Sequence, residues 1–317
     1  MASLLTLTRS RLLAVAAAFL LTVSLSSCSD HVGAAATVGG VSIDESFVTQ
    51  TSAELAASAQ AAASAAQQTS RNGNGDQLSR NRQVLTTQIR HDLLTQIPSV
   101  GTLDVPDAAV NSAVAGGAVQ IASQLGVTQQ QVPQAVRDSL KVLALAQRDA
   151  ASQKKVSVVD VRIDLLSTFS SRTAAVAARS RYLANPAAMN QEVASAGTDA
   201  NGRANGGVNE SVKLLENPGL AALGLYSEPV GSILVINQGE QWSVVRIAKR
   251  TVGQSNGLPA AIQAAEGNAQ ANGSAAIFDL AWLALAPYVS SQNVSVNPRF
   301  GAWDPVTLQV VPTNSGL

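Results

Sequence analysis

The chain has 317 residues, with 21 Lys and Arg against 21 Asp and Glu, so its formal net charge is zero. This balance leaves no excess of basic residues to argue for nucleic-acid binding, and we expect no nucleic-acid partner. It has only one cysteine, Cys28, which excludes an internal disulfide, thiol redox chemistry and cysteine-rich metal sites. Aromatic residues make up 3% of the chain, so its core must consist mainly of Ala, Val and Leu.

The first residues have the pattern of an export signal. Arg9 and Arg11 precede an apolar run over residues 12–25, which is shorter than the about 20 residues that span a bilayer. The run ends in Leu-Ser-Ser followed by Cys28, a sequence typical of the lipobox of bacterial lipoproteins. We expect residues 1–27 to be removed and Cys28 to be lipidated. The alternative is an ordinary secretory signal that is cut nearby, with Cys28 incidental.

Several acyl chains on one residue anchor a protein firmly, so the lipidated protein would stay on the outer face of the cytoplasmic membrane. Residues 28–35 would form its tether. Residues 36–43 then predict a short strand with a turn at Gly39-Gly40, and a helix is expected to follow to about residue 68. Residues 70–76, SRNGNGD, are typical of a loop.

Three further helices are predicted by apolar residues at helical spacing. The first stripe ends before Pro98, the second lies between Pro106 and Gly126, and the third begins near Pro133. Thr128 and Gln131 could cap the third helix. The stripes consist of Leu85, Ile89 and Leu93; of Val110, Val114, Ala118, Ile121 and Leu125; and of Val132, Val136, Leu140 and Leu143.

After Lys154-Lys155 the helical spacing of apolar residues gives way to segments rich in β-branched residues. Residues 156–252 therefore predict a small α+β domain. Its expected elements are a strand at 156–166, a helix at 174–182, a Gly/Asn-rich loop at 197–207 and two strands at 228–235 and 241–248. The remaining residues predict a polar linker at 253–274, an amphipathic helix at 275–289 and an extended tail that carries Trp303.

Three segments carry a resemblance to a known family: AATVGGVSIDESFV, LLTQIPSVGTLDVPDAAVNSAVAGGAVQIASQLGVTQQQV and VNPRFGAWDP. In them the chain resembles the SurA-type periplasmic chaperones and PrsA-type foldase lipoproteins, in their actinobacterial form. The resemblance implies an α+β fold. In it a mostly helical chaperone domain, 36–152 plus 275–304, is assembled from both chain ends and carries an inserted parvulin-like domain at 156–252.

Within the insertion, Gly206-Gly207, the SEPV segment at 227–230 and WSVVRI are similar to parvulin motifs. The paired histidines of parvulins would fall near Arg162 and Ser243, but the histidines of this chain are His31 and His91. The isomerase network therefore cannot be carried over. We assign no catalytic residue, no metal ligand and no cofactor.

The resemblance implies a chaperone-like lipoprotein that holds unfolded or exported polypeptides in a groove between its two parts. Met189, Leu220 and Trp242 are the candidate peptide-binding residues, with ordinary core packing as the alternative for each. Two other functions stay open: a prolyl isomerase with a histidine-free site, and a scaffold lipoprotein for one dedicated partner.

Overall fold

The structure is a computed structural model, and it describes residues 33–65, 77–115, 117–198, 204–237, 241–268, 275–289 and 293–313. The predicted export signal, Cys28 and the predicted loop at 70–76 lie outside these ranges.

Helices and antiparallel strands both build the protein, so the predicted α+β class is confirmed. The N-terminal elements are β1 (Ala34–Val38), β2 (Val41–Asp44), α1 (Glu45–Ala65), α2 (Gln77–Thr95), α3 (Pro98–Gly101), α4 (Asp107–Ala115), α5 (Ala118–Leu125) and α6 (Val132–Ala151). The middle elements are β3 (Val156–Phe169), α7 (Arg172–Ala184), α8 (Pro186–Ser195), β4 (Gly206–Lys213), β5 (Ile233–Asn237) and β6 (Trp242–Ser255). The C-terminal elements are α9 (Leu258–Gly267), α10 (Ala275–Trp282), α11 (Ala286–Val289), β7 (Val294–Val296), β8 (Ala302–Asp304) and β9 (Gln309–Val311).

The two ends of the chain meet in a small antiparallel sheet of order β2-β1-β7. The predicted single strand at 36–43 is a hairpin, because Gly39 and Gly40 turn the chain with φ of +56° and +89°. The predicted tether at 28–35 extends too far, since β1 already begins at Ala34. Ala34 and Ala35 are buried, and the Ala35 carbonyl accepts a 2.9 Å hydrogen bond from the Asn297 N–H.

The three predicted helical stripes correspond to α2, to α4 with α5, and to α6. The stripe of α2, formed by Leu85, Ile89 and Leu93, is fully buried. A short 3₁₀ turn at Gln129–Gln131 leads into α6, and the Gln131 side chain accepts a 2.9 Å hydrogen bond from the Thr128 N–H. The predicted cap is therefore present, and it belongs to this turn and not to α6 itself.

The C-terminal helix α10 packs against α6 and α9, as expected of an apolar stripe that needs a partner. Leu280, Ala281 and Leu285 of this region are buried in the main core. The same core contains the stripe of α2, so residues near the C-terminus complete the N-terminal helical layer.

The predicted linker at 253–274 is wrong over much of its length. Strand β6 continues to Ser255, and α9 follows with Pro259 near its first turn. Leu258 and Ile262, four residues apart, are buried against the main core. Their helical spacing was hidden in a segment that is otherwise rich in Ala and Gly, which lack large apolar side chains.

The middle of the chain forms a four-stranded antiparallel sheet of order β4-β3-β6-β5, with α7 and α8 beside it. One strand prediction and one loop prediction need correction here. The strand expected at 228–235 begins only at Ile233, because the chain turns at Glu228–Ser232. The Gly-rich loop expected at 197–207 ends at Gly206, where the unpredicted edge strand β4 begins.

Candidate functional site

The two positions that correspond to the parvulin histidines are not brought together. Ser243 is fully buried, and its Oγ lies 2.8 Å from the Oγ of Ser167 on the neighbouring strand β3. Arg162 is exposed, pairs across the sheet with Lys249 and donates a 3.2 Å hydrogen bond to the Asn209 carbonyl. Neither position offers a titratable group beside an open pocket.

A charged pair not predicted from the sequence holds the centre of this sheet. The Arg246 guanidinium donates to the Asp164 carboxylate at 2.6 and 3.0 Å, and Asp164 is buried. The second Asp164 oxygen accepts a 2.9 Å hydrogen bond from the Asn209 N–H. Asn209 has φ of +56°, which Asn tolerates better than most residues. The pair therefore fixes β4 to β3 and has a structural role.

The three predicted peptide-binding residues lie in two different clusters. Met189 is fully buried, and Trp242 packs partly buried against the same cluster beneath α7 and α8. Leu220 belongs to a 3₁₀ turn, Pro218–Leu223, and packs against the main core. The structure thus brings Met189 and Trp242 together and leaves Leu220 apart, and their role in peptide binding stays a prediction.

An open groove of about 1020 Å³ runs between α1 and α5, and we call it the α1–α5 groove. Its wall is made mainly of apolar and uncharged polar side chains, and among the described residues that line it Glu54 is the charged one. Val119 lies on it with 46% of its surface exposed. The lining residues are Glu54, Leu55, Ala57, Ser58, Ala59, Gly117, Val119, Gln120, Ala122, Ser123, Thr128, Gln129 and Gln130.

A second, more enclosed opening of about 550 Å³ lies where α2, α5, α6, α10 and β9 meet, and we call it the Arg90 cavity. Residues from both ends of the chain line it, and Ala222 comes from the turn at 218–223. The lining residues are Ser79, Arg82, Gln83, Thr86, Thr87, Arg90, Ala113, Ile121, Gln124, Leu125, Ala135, Val136, Asp138, Ser139, Ala222, Phe278, Asp279, Trp282, Gln309 and Val310.

Hydrogen bonds from α2 hold the wall of this cavity. The Gln83 amide donates to the Ser123 and Gln124 carbonyls at 2.9 and 2.6 Å, and the Thr87 hydroxyl donates to the Leu125 carbonyl. These acceptors are the last carbonyls of α5, which lack partners within their own helix. Gly126 then ends α5 with φ of +67°.

Arg90 is the charged centre of the cavity and is only 7% exposed. Its Nε donates a 2.8 Å hydrogen bond to the Leu308 carbonyl, and its Cζ lies 5.2 Å from the centroid of the Trp282 ring. Its Nη1 lies 3.7 Å from the Asp279 carboxylate, which is longer than a hydrogen bond. Its Nη2 is buried and has no hydrogen-bond partner among the described residues. An unpaired buried donor costs about 1–3 kcal/mol.

Burial governs the electrostatics of this pair. Desolvation lowers the pKa of Arg90 to about 10, although Asp279 opposes the shift, so the guanidinium stays charged at neutral pH. Desolvation also raises the pKa of Asp279, against the attraction of Arg90. Both directions show that Arg90 and Asp279 compensate each other incompletely.

A second charged group, Asp138, lines the cavity but is satisfied. Its carboxylate lies 2.7 Å from the Nδ1 of His91 and accepts a 2.8 Å hydrogen bond from the Gln134 amide. This hydrogen bond to Asp138 is the main cause of a raised pKa of His91. Of these two groups, Arg90 is the one with a buried atom that has no hydrogen-bond partner among the described residues, and no sequence motif marks it.

The described residues contain neither a metal-binding cluster nor a membrane-spanning helix. The described residues contain no group of three or more His, Cys, Asp or Glu side chains that could hold a metal ion. None of the helices formed by these residues is both long and apolar enough to cross a membrane.

No protein family matches the chain, and no curated protein matches it either. Among solved structures, the crystal structure of foldase protein PrsA from Streptococcus pneumoniae str. Canada MDR_19A is similar over 71% of this chain and 90% of that chain. The two sequences are 16% identical, and the TM-score is 0.26. Similarity at this level does not establish an activity for this chain.

Proposed function

We propose that this protein is an extracytoplasmic chaperone-like protein that reversibly holds extended polypeptide segments in the α1–α5 groove. The observation that carries the proposal is the groove itself, an open channel of about 1020 Å³ lined mainly by apolar and uncharged polar side chains. The proposed binding groove lies between α1 and α5 and not between the helical and sheet parts of the protein.

The chemistry of the groove suits a chain of unspecified sequence. Leu55, Ala57 and Val119 offer apolar surface, and small side chains allow a backbone to approach closely. Gln120, Gln129 and their polar neighbours can donate to and accept from peptide groups, which every segment presents. Because the lining is nearly uncharged, binding would depend little on the charge of the client.

The predicted export signal supports a location outside the cytoplasm. With Cys28 lipidated, the groove would face newly exported chains at the membrane surface, and a tether would keep it there. The proposed partners are therefore unfolded or exported polypeptides, with the membrane engaged through the lipid anchor.

The proposal is tested with the soluble mature chain, residues 29–317, by light scattering from a chemically unfolded client. The parent protein should suppress aggregation. Val119→Lys should raise the concentration needed for half suppression roughly 10-fold, which corresponds to about 1.4 kcal/mol of lost binding free energy. The substitution removes an exposed apolar contact and places a charge in the groove lining.

Val230→Lys is the matched control. Val230 is 59% exposed, lies in the turn before β5 and does not line the groove, so this variant should suppress aggregation like the parent. Equal losses in the two variants would mean that general surface apolarity matters and not the groove. No suppression by the parent, together with saturable binding to one envelope protein, would favour the scaffold function instead.

The isomerase alternative is tested on the same protein with a protease-coupled assay and a short proline peptide. We expect no rate above background, since Ser243 is buried and Arg162 lies opposite Lys249, six residues further along β6. A clear isomerase rate would contradict the proposal that the protein acts by capture alone.

A further inference from the structure

We propose that the Arg90 cavity is a binding site for the carboxylate of a ligand with an apolar body. This site is separate from the α1–α5 groove, and it does not depend on the proposed chaperone function. Two ligands share this chemistry: the C-terminal residue of a polypeptide and a free fatty acid.

The guanidinium of Arg90 supplies the recognition of the carboxylate. Its Nε is already used by the Leu308 carbonyl, whereas its Nη2 is buried and has no partner among the described residues. Arg90 is one of the residues that line the cavity. An arginine held in this way is pre-organised for an acceptor, because its backbone contact and the Trp282 ring fix its plane. Because Nη2 is buried, a carboxylate oxygen reaches it only after a small local shift of the side chains around it, and it would then satisfy the donor that folding leaves unpaired.

The charges around the cavity favour a monoanion over a dianion such as phosphate. Arg82 and Arg90 line it together with Asp138 and Asp279. Asp138 is held by His91 and Gln134, and Asp279 stands 3.7 Å from Arg90, too far to saturate it. With two acidic neighbours in place, one added negative charge can be accommodated more readily than two.

The rest of the cavity suits an apolar body. Ile121, Leu125, Val136, Phe278 and Trp282 contribute most of the hydrophobic wall. A volume of about 550 Å³ lies within the range of roughly 300–1000 Å³ that is usual for small-ligand pockets. Ser79 and Gln124, which are both exposed, mark an opening to solvent.

The test is isothermal titration of the soluble mature chain with two matched pairs of probes. One pair is decanoate and 1-decanol; the other is an N-acetylated tripeptide ending in phenylalanine, as the free acid and as the amide. At least one acid should bind, and its uncharged partner should bind roughly 10-fold more weakly or not at all. Binding of the peptide acid alone, or of decanoate alone, identifies the source of the carboxylate.

Two variants locate the site. Arg90→Gln should remove the preference for the acid over its uncharged partner. Ala113→Phe should fill the cavity without touching Arg90 and should abolish binding, whereas Ala108→Phe, at an exposed position of the same helix, should bind like the parent. If Arg90→Gln does not fold, the acid-against-neutral comparison and the Ala113 variant decide.

The proposal is overturned if neither acid binds, if acid and neutral partner bind equally, or if Ala113→Phe leaves binding unchanged. Each of these outcomes leaves the aggregation result untouched, because that assay reports on Val119 in a different opening. Failure of this site and failure of the proposed function are therefore distinguishable.

Discussion

Replacing Leu280 by alanine should destabilise the helical core as a whole and not only α10, the helix in which Leu280 lies. Leu280 is 1% exposed and belongs to α10, which packs against α6, α9 and the turn at 218–223. Leu→Ala at buried sites costs about 2–5 kcal/mol, and the cost rises with the cavity that remains. Because packed elements surround α10, its neighbours can move little to fill the cavity. We therefore expect the free energy of unfolding to fall by about 3–4 kcal/mol.

The loss is measurable as a shift of thermal unfolding and as hydrogen exchange. At about 2–4 °C per kcal/mol for chains of this order of size, the melting temperature should fall by roughly 6–16 °C. Protection of the backbone amides in α2 and α6 should fall together with that in α10, because the buried residues of all three share one core. Leu183→Ala, at a position 52% exposed on α7, should change stability by less than about 0.5 kcal/mol.

Loss of protection confined to residues 275–289, with α2 and α6 unchanged, would refute the reasoning. The C-terminal helix would then be an appendage of the helical layer and not part of its core. A loss as small as that of Leu183→Ala would refute the packing argument itself.

The remaining predictions concern the lipid anchor and one titrating pair. Cys28→Ser should abolish acyl labelling and either release the protein from the membrane or leave it uncleaved; unchanged labelling would exclude Cys28 as the acylated residue. The pKa of His91 is raised in the folded state, so its bond to Asp138 stabilises the protein below the usual pKa of 6.5, and this contribution is lost as the pH rises through the raised value. Urea unfolding of His91→Gln should therefore show a deficit of about 1 kcal/mol or less at pH 5.5 that disappears at pH 9, and a deficit that grows with pH would contradict this.

The helices were the most predictable part of the fold, for a simple physical reason. Leu85, Ile89 and Leu93 recur at helical spacing, and a stripe of this kind must be buried whatever it packs against. The strands β3 and β6 were predictable because both are rich in β-branched residues. In both cases the local sequence is enough to predict the type of secondary structure.

Strand β4 and helix α9 were missed because neither has a strong local pattern. Side chains of β4 are mostly exposed on both faces, and the strand is held by backbone pairing with β3, which no alternation of residues reveals. The stripe of α9 rests on Leu258 and Ile262 among alanines. Both elements depend on partners that the chain supplies from elsewhere.

The candidate sites could not have been read from the sequence. The α1–α5 groove depends on the spacing between two helices. Met189 is buried in one cluster and Trp242 packs against it, and their role in peptide binding stays a prediction. The Arg90 cavity depends on contacts between the chain ends. The hydrogen bond from Arg90 to the Leu308 carbonyl joins residues 218 positions apart, so no local motif predicts it.

The position of the Arg90 cavity links ligand binding to the joining of the chain ends. Arg90 of α2 holds the Leu308 carbonyl, and the Thr86 hydroxyl accepts a 2.9 Å hydrogen bond from the Val310 N–H, so the C-terminal tail is fastened to α2 at the cavity wall. Asp279 and Trp282 approach the same guanidinium from α10. A cavity with these walls exists only when both ends are in place. By mass action, a carboxylate bound at Arg90 must then stabilise the closed helical layer, and a change that loosens the C-terminal tail must weaken the binding of that carboxylate.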